Sequence, residues 1–385
     1  MTAEAITAVV HRFCPTCDVD RPGEASICEA CGARLLELRA QADDLVGQVI
    51  DGRFEIRAKI GVGGMGAVYR AWQRSIGREI AIKIVDDRQV RDLMAARRFL
   101  REAKLASQLS QPSTVSIIDF GQSAEGRLFI AMELVKGRTL DRVVQDDGVF
   151  DLGRAVRVGV QLCDALQAAH TLSIVHRDLK PANVILLDDP PGRDLIKVLD
   201  FGLAKSLIEE ETETTQAGML VGTPRFMGPE LTLGQRADGK SDLYALGVML
   251  CELCSGTRLF DGATFQELMW QKTGTVRIPD GVPAPLVPVL ARLVEANPAH
   301  RFANAAETRS ALLDSVRGTD LAMAPAAIDG IPSGLGGAGT PVQPAPESLV
   351  IDYGAATGTA LLAPSGATGG VAVTPPPLSA SREGR

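Results

Sequence analysis

Between residues 174 and 183 the chain reads Ile-Val-His-Arg-Asp-Leu-Lys-Pro-Ala-Asn. Within six positions it offers a carboxylate (Asp178), an ammonium (Lys180) and a carboxamide (Asn183), bounded by apolar stretches. A loop that needed only solubility would not need that assortment, but phosphoryl transfer does. A carboxylate accepts the proton of an attacking hydroxyl, a cation neutralises the phosphate in transit, and an amide oxygen is a hard ligand for a divalent cation. Asp200, opening Asp200-Phe201-Gly202 after a second apolar strand, is another hard oxygen ligand. Upstream, Gly61-Val62-Gly63-Gly64-Met65-Gly66-Ala67-Val68 has the form G-x-G-x-x-G-x-V. Its glycines let backbone amides approach phosphate oxygens that a Cβ would hold off. Strand-like residues flank it on both sides, which predicts a hairpin over a nucleotide rather than the strand-to-helix turn of a dinucleotide site. An ordinary glycine-rich hairpin would read the same way. Lys83 closes the apolar run Ile80-Ala81-Ile82, and Glu102 falls on the helix that follows. Taken singly, the first also reads as a snorkelling sheet-edge cation and the second as a solvated helix face.

These groups need elements to hold them. Alternating apolar residues predict strands over 54–56, 67–70, 79–85, 116–119 and 128–132, with a helix over 97–109. Beyond Arg138 the period becomes helical, with long apolar segments over 152–170 and 241–255. Strands first and helices after read as α+β in two lobes.

Taken together, these segments resemble the eukaryotic-type (Hanks-type) serine/threonine protein kinases found in bacteria. The resemblance spans about residues 54–313 and meets the family motifs in order. It implies a two-lobed protein-kinase fold, a small β-rich N-lobe over a larger α-helical C-lobe, with ATP between them. It further implies that Gly61, Gly63 and Gly66 cover the phosphates, with Val68 against the adenine. Lys83 would bind the α/β-phosphates and pair with Glu102. Asp178 would be the catalytic base or the residue orienting the hydroxyl, and Lys180 would contact the γ-phosphate. Asn183 and Asp200 would hold Mg²⁺ or Mn²⁺. Met132 would be the gatekeeper, the backbone of Glu133 and Val135 would bond the adenine, and Ala81 and Ile185 would line its two faces. Lys180 and Thr223, in Gly222-Thr223-Pro224, resemble the serine/threonine branch. Glu230, in Gly228-Pro229-Glu230, would pair with Arg301, and Asp242 would anchor the loop of Asp178; Gly228 replaces the common Ala. Arg177 beside Asp178 is a cation suited to a phosphothreonine, so autophosphorylation is expected on Thr214 or Thr215, with Thr212 a third candidate. Glu209, Glu210, Glu211 and Glu213 could instead leave that loop merely acidic and solvated, or partly stand in for the phosphate.

Cys14, Cys17, Cys28 and Cys31 form C-x2-C-x10-C-x2-C. Two such pairs suit a closed tetrahedral Zn²⁺ site, structural because no coordination position stays open, with Gly32 relieving the turn after the last ligand. The pattern resembles a zinc ribbon whose job would be to dock a protein partner or the kinase domain; redox-active or disulfide-linked pairs are the competing reading. The short stretch 33–45 has a helical pattern. Cys163, Cys251 and Cys254 sit in apolar surroundings and read as core thiols.

Composition bounds the rest. A net charge of −7 over 385 residues, with few arginines near the cysteines, argues against a nucleic-acid partner. No run long and apolar enough for a membrane span occurs, and no basic-then-apolar leader opens the chain. A cytoplasmic protein is expected. From Gly318 onward, 21 of 68 residues are Gly or Pro, a composition that cannot offset its ordering entropy and predicts a disordered tail. The expected organisation is a zinc-ribbon-like module over 1–46, a kinase domain over 47–317 and the tail over 318–385. The expected function is ATP-dependent phosphorylation of protein serine or threonine hydroxyls. The competing reading is a non-catalytic nucleotide-binding scaffold that presents the ribbon and tail to partners; the presence of Lys83, Asp178, Asn183 and Asp200 together weighs against it.

Overall fold

The chain opens with a small antiparallel sheet of order β2–β1–β3, built from β1 (Val10–Cys14), β2 (Val19–Arg21) and β3 (Leu36–Arg39). Over the described residues 33–39 this corrects the helical reading of 33–45. Leu36-Glu37-Leu38-Arg39 alternates with period two, and its pairing with β1, Phe13 opposite Leu36 and Val10 opposite Arg39, overrides a weak helix propensity. The structure, a computed structural model, describes residues 10–14, 17, 19–21, 27–39, 45–63, 66–86, 93–190, 192–201, 224–232, 234–262 and 264–317. The tail expected over 318–385 lies outside them, as do Thr212, Thr214, Thr215 and Thr223.

A six-stranded antiparallel sheet follows. Its strands are β4 (Val49–Ile50), β5 (Phe54–Gly63), β6 (Gly66–Gln73), β7 (Arg78–Val85), β8 (Ile117–Gln122) and β9 (Leu128–Glu133), in the order β4–β5–β6–β7–β9–β8. On β7, Ile80, Ile82 and Ile84 fall on one face and pack with Phe54, Ile56, Phe129 and Ala131. Ala81 and Val85, out of step by one, pack instead beneath helix α1 (Leu93–Ala106) with Phe99 and Ala103. Strand alternation therefore delivers Lys83 to the α1 side, the face of Ala81. Helix α1 starts about one turn earlier than the periodicity suggested and buries Ala95, Ala96, Phe99, Ala103 and Ala106, a stripe of helical spacing. Gly66 closes the β5–β6 hairpin opposite Gly63. A Cβ at Gly66 would lie 2.0 Å from the Ile84 carbonyl oxygen, and its φ of +143° disfavours any other residue.

The second lobe begins with β10 (Gly137–Thr139), which pairs with β11 (Val184–Leu187) and through it with β12 (Ile196–Val198). Its helices are α2 (Leu140–Asp147), α3 (Leu152–Thr171), α4 (Pro229–Thr232), α5 (Gly239–Ser255), α6 (Phe265–Thr273), α7 (Val287–Leu293) and α8 (Ala305–Asp314). Helix α5 is apolar on nearly every side, as a helix at the centre of a core must be, and all of Leu243–Cys254 is buried. It starts at a capping box in which Asp238 accepts from Lys240 N and Ser241 N, while Ser241 Oγ accepts from Asp238 N. Cys163, Cys251 and Cys254 lie within this core; burial pushes their thiols up, that of Cys254 to about 12, and leaves them inert. Among the described residues no helix is long and apolar enough to cross a membrane.

The two ends of this lobe are joined by Glu230 and Arg301. The guanidinium is fully buried and donates bidentately to Glu230, Nη1 to Oε1 at 2.9 Å and Nη2 to Oε2 at 2.8 Å. Its remaining N–H groups reach the carbonyls of Glu295, Lys240 and Ala296, so every donor of the fork is used. Burial acts to raise the Glu230 carboxyl, but Arg301 outweighs it and holds the group below the usual carboxylate range. A Cβ at Gly228 would fall 2.3 Å from Glu230 Oε1, so the glycine in place of alanine leaves the carboxylate room to fold back over its own turn. Removing one partner of such a buried pair strands the other. Arg301→Met should lower the unfolding free energy by about 3–5 kcal/mol in chemical denaturation, and adding Glu230→Gln should cost less than the sum of the two single changes.

Candidate active site

The loop carrying Asp178 is fastened to the first turn of α5. Asp242, 1 % exposed, accepts from His176 N at 2.8 Å, Arg177 N at 2.9 Å and His170 Nε2 at 2.8 Å. Arg177 sits between those bonds at φ +63°, in the left-handed region that a bulky residue adopts only when its surroundings over-determine it. His176 is wholly buried, 4.8 Å from the Phe201 ring. Its Nε2 faces the Leu199 carbonyl at 2.9 Å and so carries the proton, which leaves Nδ1 to accept from Asp178 N at 3.3 Å. That is the neutral imidazole, in keeping with burial pushing its pKa down.

With the backbone fixed, the polar side chains converge. Lys180 Nζ lies 3.0 Å from Asp178 Oδ2. The Asn183 amide donates to the Asp178 carbonyl at 2.8 Å and to its Oδ2 at 3.1 Å, which leaves Asn183 Oδ1 without a partner among the described residues. Leu199 N bonds the Asn183 carbonyl at 2.9 Å, so the end of β12 runs beside the Asn183 turn and delivers Asp200 to the same place. Asp200, at φ +53°, accepts from Lys83 Nζ at 2.8 Å, and this pair bridges the lobes. Burial acts to raise the Asp200 carboxyl, but the Lys83 ammonium outweighs it and keeps the group ionised.

The apolar candidates divide between roof and floor. Ala81, Met132 and Val68 belong to the cluster under α1, with Ala81 directly opposite Met132 in the sheet. Val135 and Ile185 belong with Leu199 to a cluster of the second lobe. The Val135 N–H has no hydrogen-bond partner among the described residues. Gly61, Gly63 and Gly66 line the β5–β6 hairpin whose tip, 64–65, lies outside the described residues. Glu102 is half-buried on α1, while Lys83 makes its ion pair with Asp200.

Sequence reasoning missed three groups around this site. His170 is a donor to Asp242, and nothing marks one histidine at the end of a long helix as special. Lys197, on β12, bonds Glu133 Oε1 at 2.7 Å and the Thr114 carbonyl at 3.0 Å, bracing the connection between the lobes. Lys272 is buried beside residues 224–227; a lysine in a polar helix ordinarily reads as solvated.

At the other end of the chain, the Sγ atoms of Cys17, Cys28 and Cys31 lie within 4.8 Å of one another, with Cys17 and Cys28 4.0 Å apart. Tetrahedral zinc with Zn–S near 2.3 Å asks for about 3.8 Å between sulfurs, so this trio fits the ion. Cys14 closes β1, and its side chain lies outside the described residues.

Comparison with known proteins agrees with this geometry. A sequence profile described as the protein kinase domain matches residues 54–311. Serine/threonine-protein kinase pkn3 of Myxococcus xanthus is 39% identical over 274 residues, covering 68% of this chain and 50% of its own. Serine/threonine-protein kinase PknB of Mycobacterium tuberculosis is 33% identical over 269 residues, covering 68% and 42%. The chain thus spans half or less of the length of these curated relatives. Among solved structures, the Mycobacterium tuberculosis PknI kinase domain superposes with a TM-score of 0.56 at 26% identity, covering 72% of this chain and 99% of that one.

The neutral buried His176 makes stability depend on pH. Its folded pKa lies below the unfolded value near 6.5, so the unfolded chain takes up the proton first and stability falls as pH drops below about 6.5. His176→Phe should flatten that slope between about pH 7 and pH 5 in denaturant titrations, whatever it does to the absolute stability.

Proposed function

The chain belongs to the protein kinase domain family, and on that premise we propose that it transfers the γ-phosphoryl group of ATP to serine or threonine hydroxyls of proteins. The observation that carries the proposal is the convergence of polar groups from both lobes: Asp178 held by Lys180 and Asn183 in the second lobe, with Asp200 beside them paired to Lys83 from the first. In this reading Asp178 accepts or orients the hydroxyl proton, and Lys180, 3.0 Å away, sits where charge on the transferred group would build. Lys83 would hold the α/β-phosphates, with Glu102 as its partner in the active arrangement, and Gly61, Gly63 and Gly66 would cover them. The adenine would lie between Val68 and Ala81 above and Ile185 below, with Met132 as gatekeeper and the backbone of Glu133 and Val135 as its bonding partners. Asn183 and Asp200 would hold Mg²⁺ or Mn²⁺, which supplies charge neutralisation for the phosphates; an amide oxygen and a carboxylate are the hard donors those ions take.

The same proposal covers regulation and organisation. Arg177, beside Asp178, supports activation by phosphorylation at Thr214 or Thr215, or at Thr212. The cysteine trio supports a structural zinc site completed by Cys14, in a module over 1–46 ahead of a kinase domain over 47–317, with the module offered to a protein partner. Action in the cytoplasm is part of the same reading, supported by ATP as the donor and by cysteines suited to thiolate ligation rather than disulfides.

Asp178→Asn should reduce phosphate transfer to a generic basic protein by about 10²-fold or more while leaving the circular dichroism spectrum unchanged. Transfer at the wild-type rate would refute the assignment. Purified protein should carry about one zinc ion per chain by atomic absorption, and Cys28→Ser should abolish it. Mass spectrometry after incubation with ATP should find phosphate within 212–215.

A further inference from the structure

Lys272 lies in the last turn of α6, yet none of it is exposed. Its Nζ donates to three backbone carbonyls, Pro224 at 2.7 Å, Arg225 at 2.9 Å and Met227 at 2.5 Å. The rings of Tyr244 and Phe260 lie 5.5 and 5.1 Å from it. Three acceptors at these distances use all three N–H groups of an ammonium, so the arrangement is complete only in the charged form. Burial pushes that charge down, to a pKa of about 7, while the carboxylates of Glu230 on α4 and Glu252 on α5 pull it back up. Burying a lysine costs enough that an interior ammonium with every donor placed marks a geometric requirement of the site rather than a packing convenience.

What the ammonium holds is next to the chemistry. Residues 224–227 form no regular helix or strand; Met227 N reaches the Pro224 carbonyl at 3.3 Å, and Lys272 supplies the donor to the Arg225 and Met227 carbonyls as well as a second one to Pro224. Phe226, Met227 and Gly228 line a small pocket together with Arg177, Asp178 and Leu179, so the segment packs directly beside Asp178 and forms a wall of the groove proposed there for the acceptor. On the kinase reading, a polypeptide that presents a hydroxyl to Asp178 would lie close to this segment. The nucleotide-side residues Lys83, Ala81 and Met132 lie in the other lobe, on β7 and β9.

We propose that Lys272 is a positioning residue for the protein substrate: from α6 it fixes the 224–227 wall of the groove beside Asp178, and thereby sets affinity for the acceptor polypeptide without acting on the nucleotide. The inference rests on the kinase reading given above and deepens it. A loosened wall would cost binding of the acceptor, which needs the wall in one place, and would leave ATP binding and slow hydrolysis of ATP by water unaffected.

The test is steady-state kinetics of the full chain with a generic basic protein as acceptor, comparing wild type with Lys272→Met, which keeps the unbranched stem and removes the donors. The KM for the acceptor should rise about tenfold or more, while the KM for ATP and the acceptor-free ATPase rate stay within about twofold. Hydrogen exchange should be faster at the amides of 224–227. An unchanged acceptor KM, or equal losses for acceptor and ATP, would overturn the inference, the second result marking Lys272 as merely structural. Should Lys272→Met not fold, Lys272→Arg keeps charge and donors but alters their geometry; the same split, smaller in size, is expected and the same results would overturn it. A wild type that hydrolyses ATP but phosphorylates no protein would defeat the kinase reading and this inference with it. A wild type active on protein with an insensitive Lys272 variant would defeat this inference alone.

Discussion

The buried carboxylate of Asp242 is the constraint on which the site depends. It gathers three N–H donors, two from the backbone of His176 and Arg177 and one from His170. Its place in the first turn of α5 adds the favourable field of a helix N-terminus. Without those bonds Arg177 would have no reason to stay in a left-handed conformation, and Asp178, the next residue, would lose its heading. The neighbouring Ser241 donates to Glu230 Oε1 at 2.8 Å, and Glu230 in turn holds Arg301. One helix start therefore orients both the loop that carries Asp178 and the turn that follows the groove wall.

The cleft between the lobes is joined differently. Across it, Lys83 and Asp200 meet as a partly exposed ion pair, a contact that solvent and ligands can compete for. Behind it the joint is continuous backbone pairing: Val198 N bonds the Ser113 carbonyl at 2.8 Å and Val115 N bonds the Val198 carbonyl at 3.1 Å. Lys197 adds its bonds to Glu133 and Thr114 at the same place. Directional bonds thus join the lobes at the rear, and an ion pair open to solvent joins them at the mouth.

The parts legible in the sequence are those where chemistry or backbone sterics restricts the residue choice. The glycines of 61–66, the alternation of β7 and the Asp178–Asn183 cluster all show themselves this way, and the Glu230–Arg301 and Asp242 anchors follow from the family resemblance. The misreading of 33–45 has the opposite cause: four residues of weak preference take their conformation from the partner strand β1, which lies more than twenty positions away. Lys272, His170 and Lys197 were hidden for a related reason. Each is an ordinary polar residue locally, and only the tertiary path of 224–227, of α5 or of the inter-lobe connection gives it an acceptor. The implied Lys83–Glu102 pair concerns side-chain placement rather than backbone, and in the arrangement seen the Lys83 ammonium lies against Asp200.

Lys180, Lys272 and Arg301 are all buried in the second lobe, against carboxylates or carbonyls at 2.5–3.2 Å. Apolar packing alone would hold this side together at lower cost, since well-packed hydrophobic replacements of buried ion pairs are often neutral or stabilising. What packing does not supply is direction. A hydrogen bond weakens steeply once bent, whereas apolar contacts tolerate sliding. Around Asp178 the groove wall, the loop and the turn at Glu230 are each held by bonds that permit one arrangement, and the large apolar cluster of α3 and α5 beneath them supplies the cohesive energy. Stability and precision are thus assigned to different layers of the same lobe. The chain's overall negative charge decides neither, because each of these buried cations is met at hydrogen-bond distance by its own carboxylate or carbonyls.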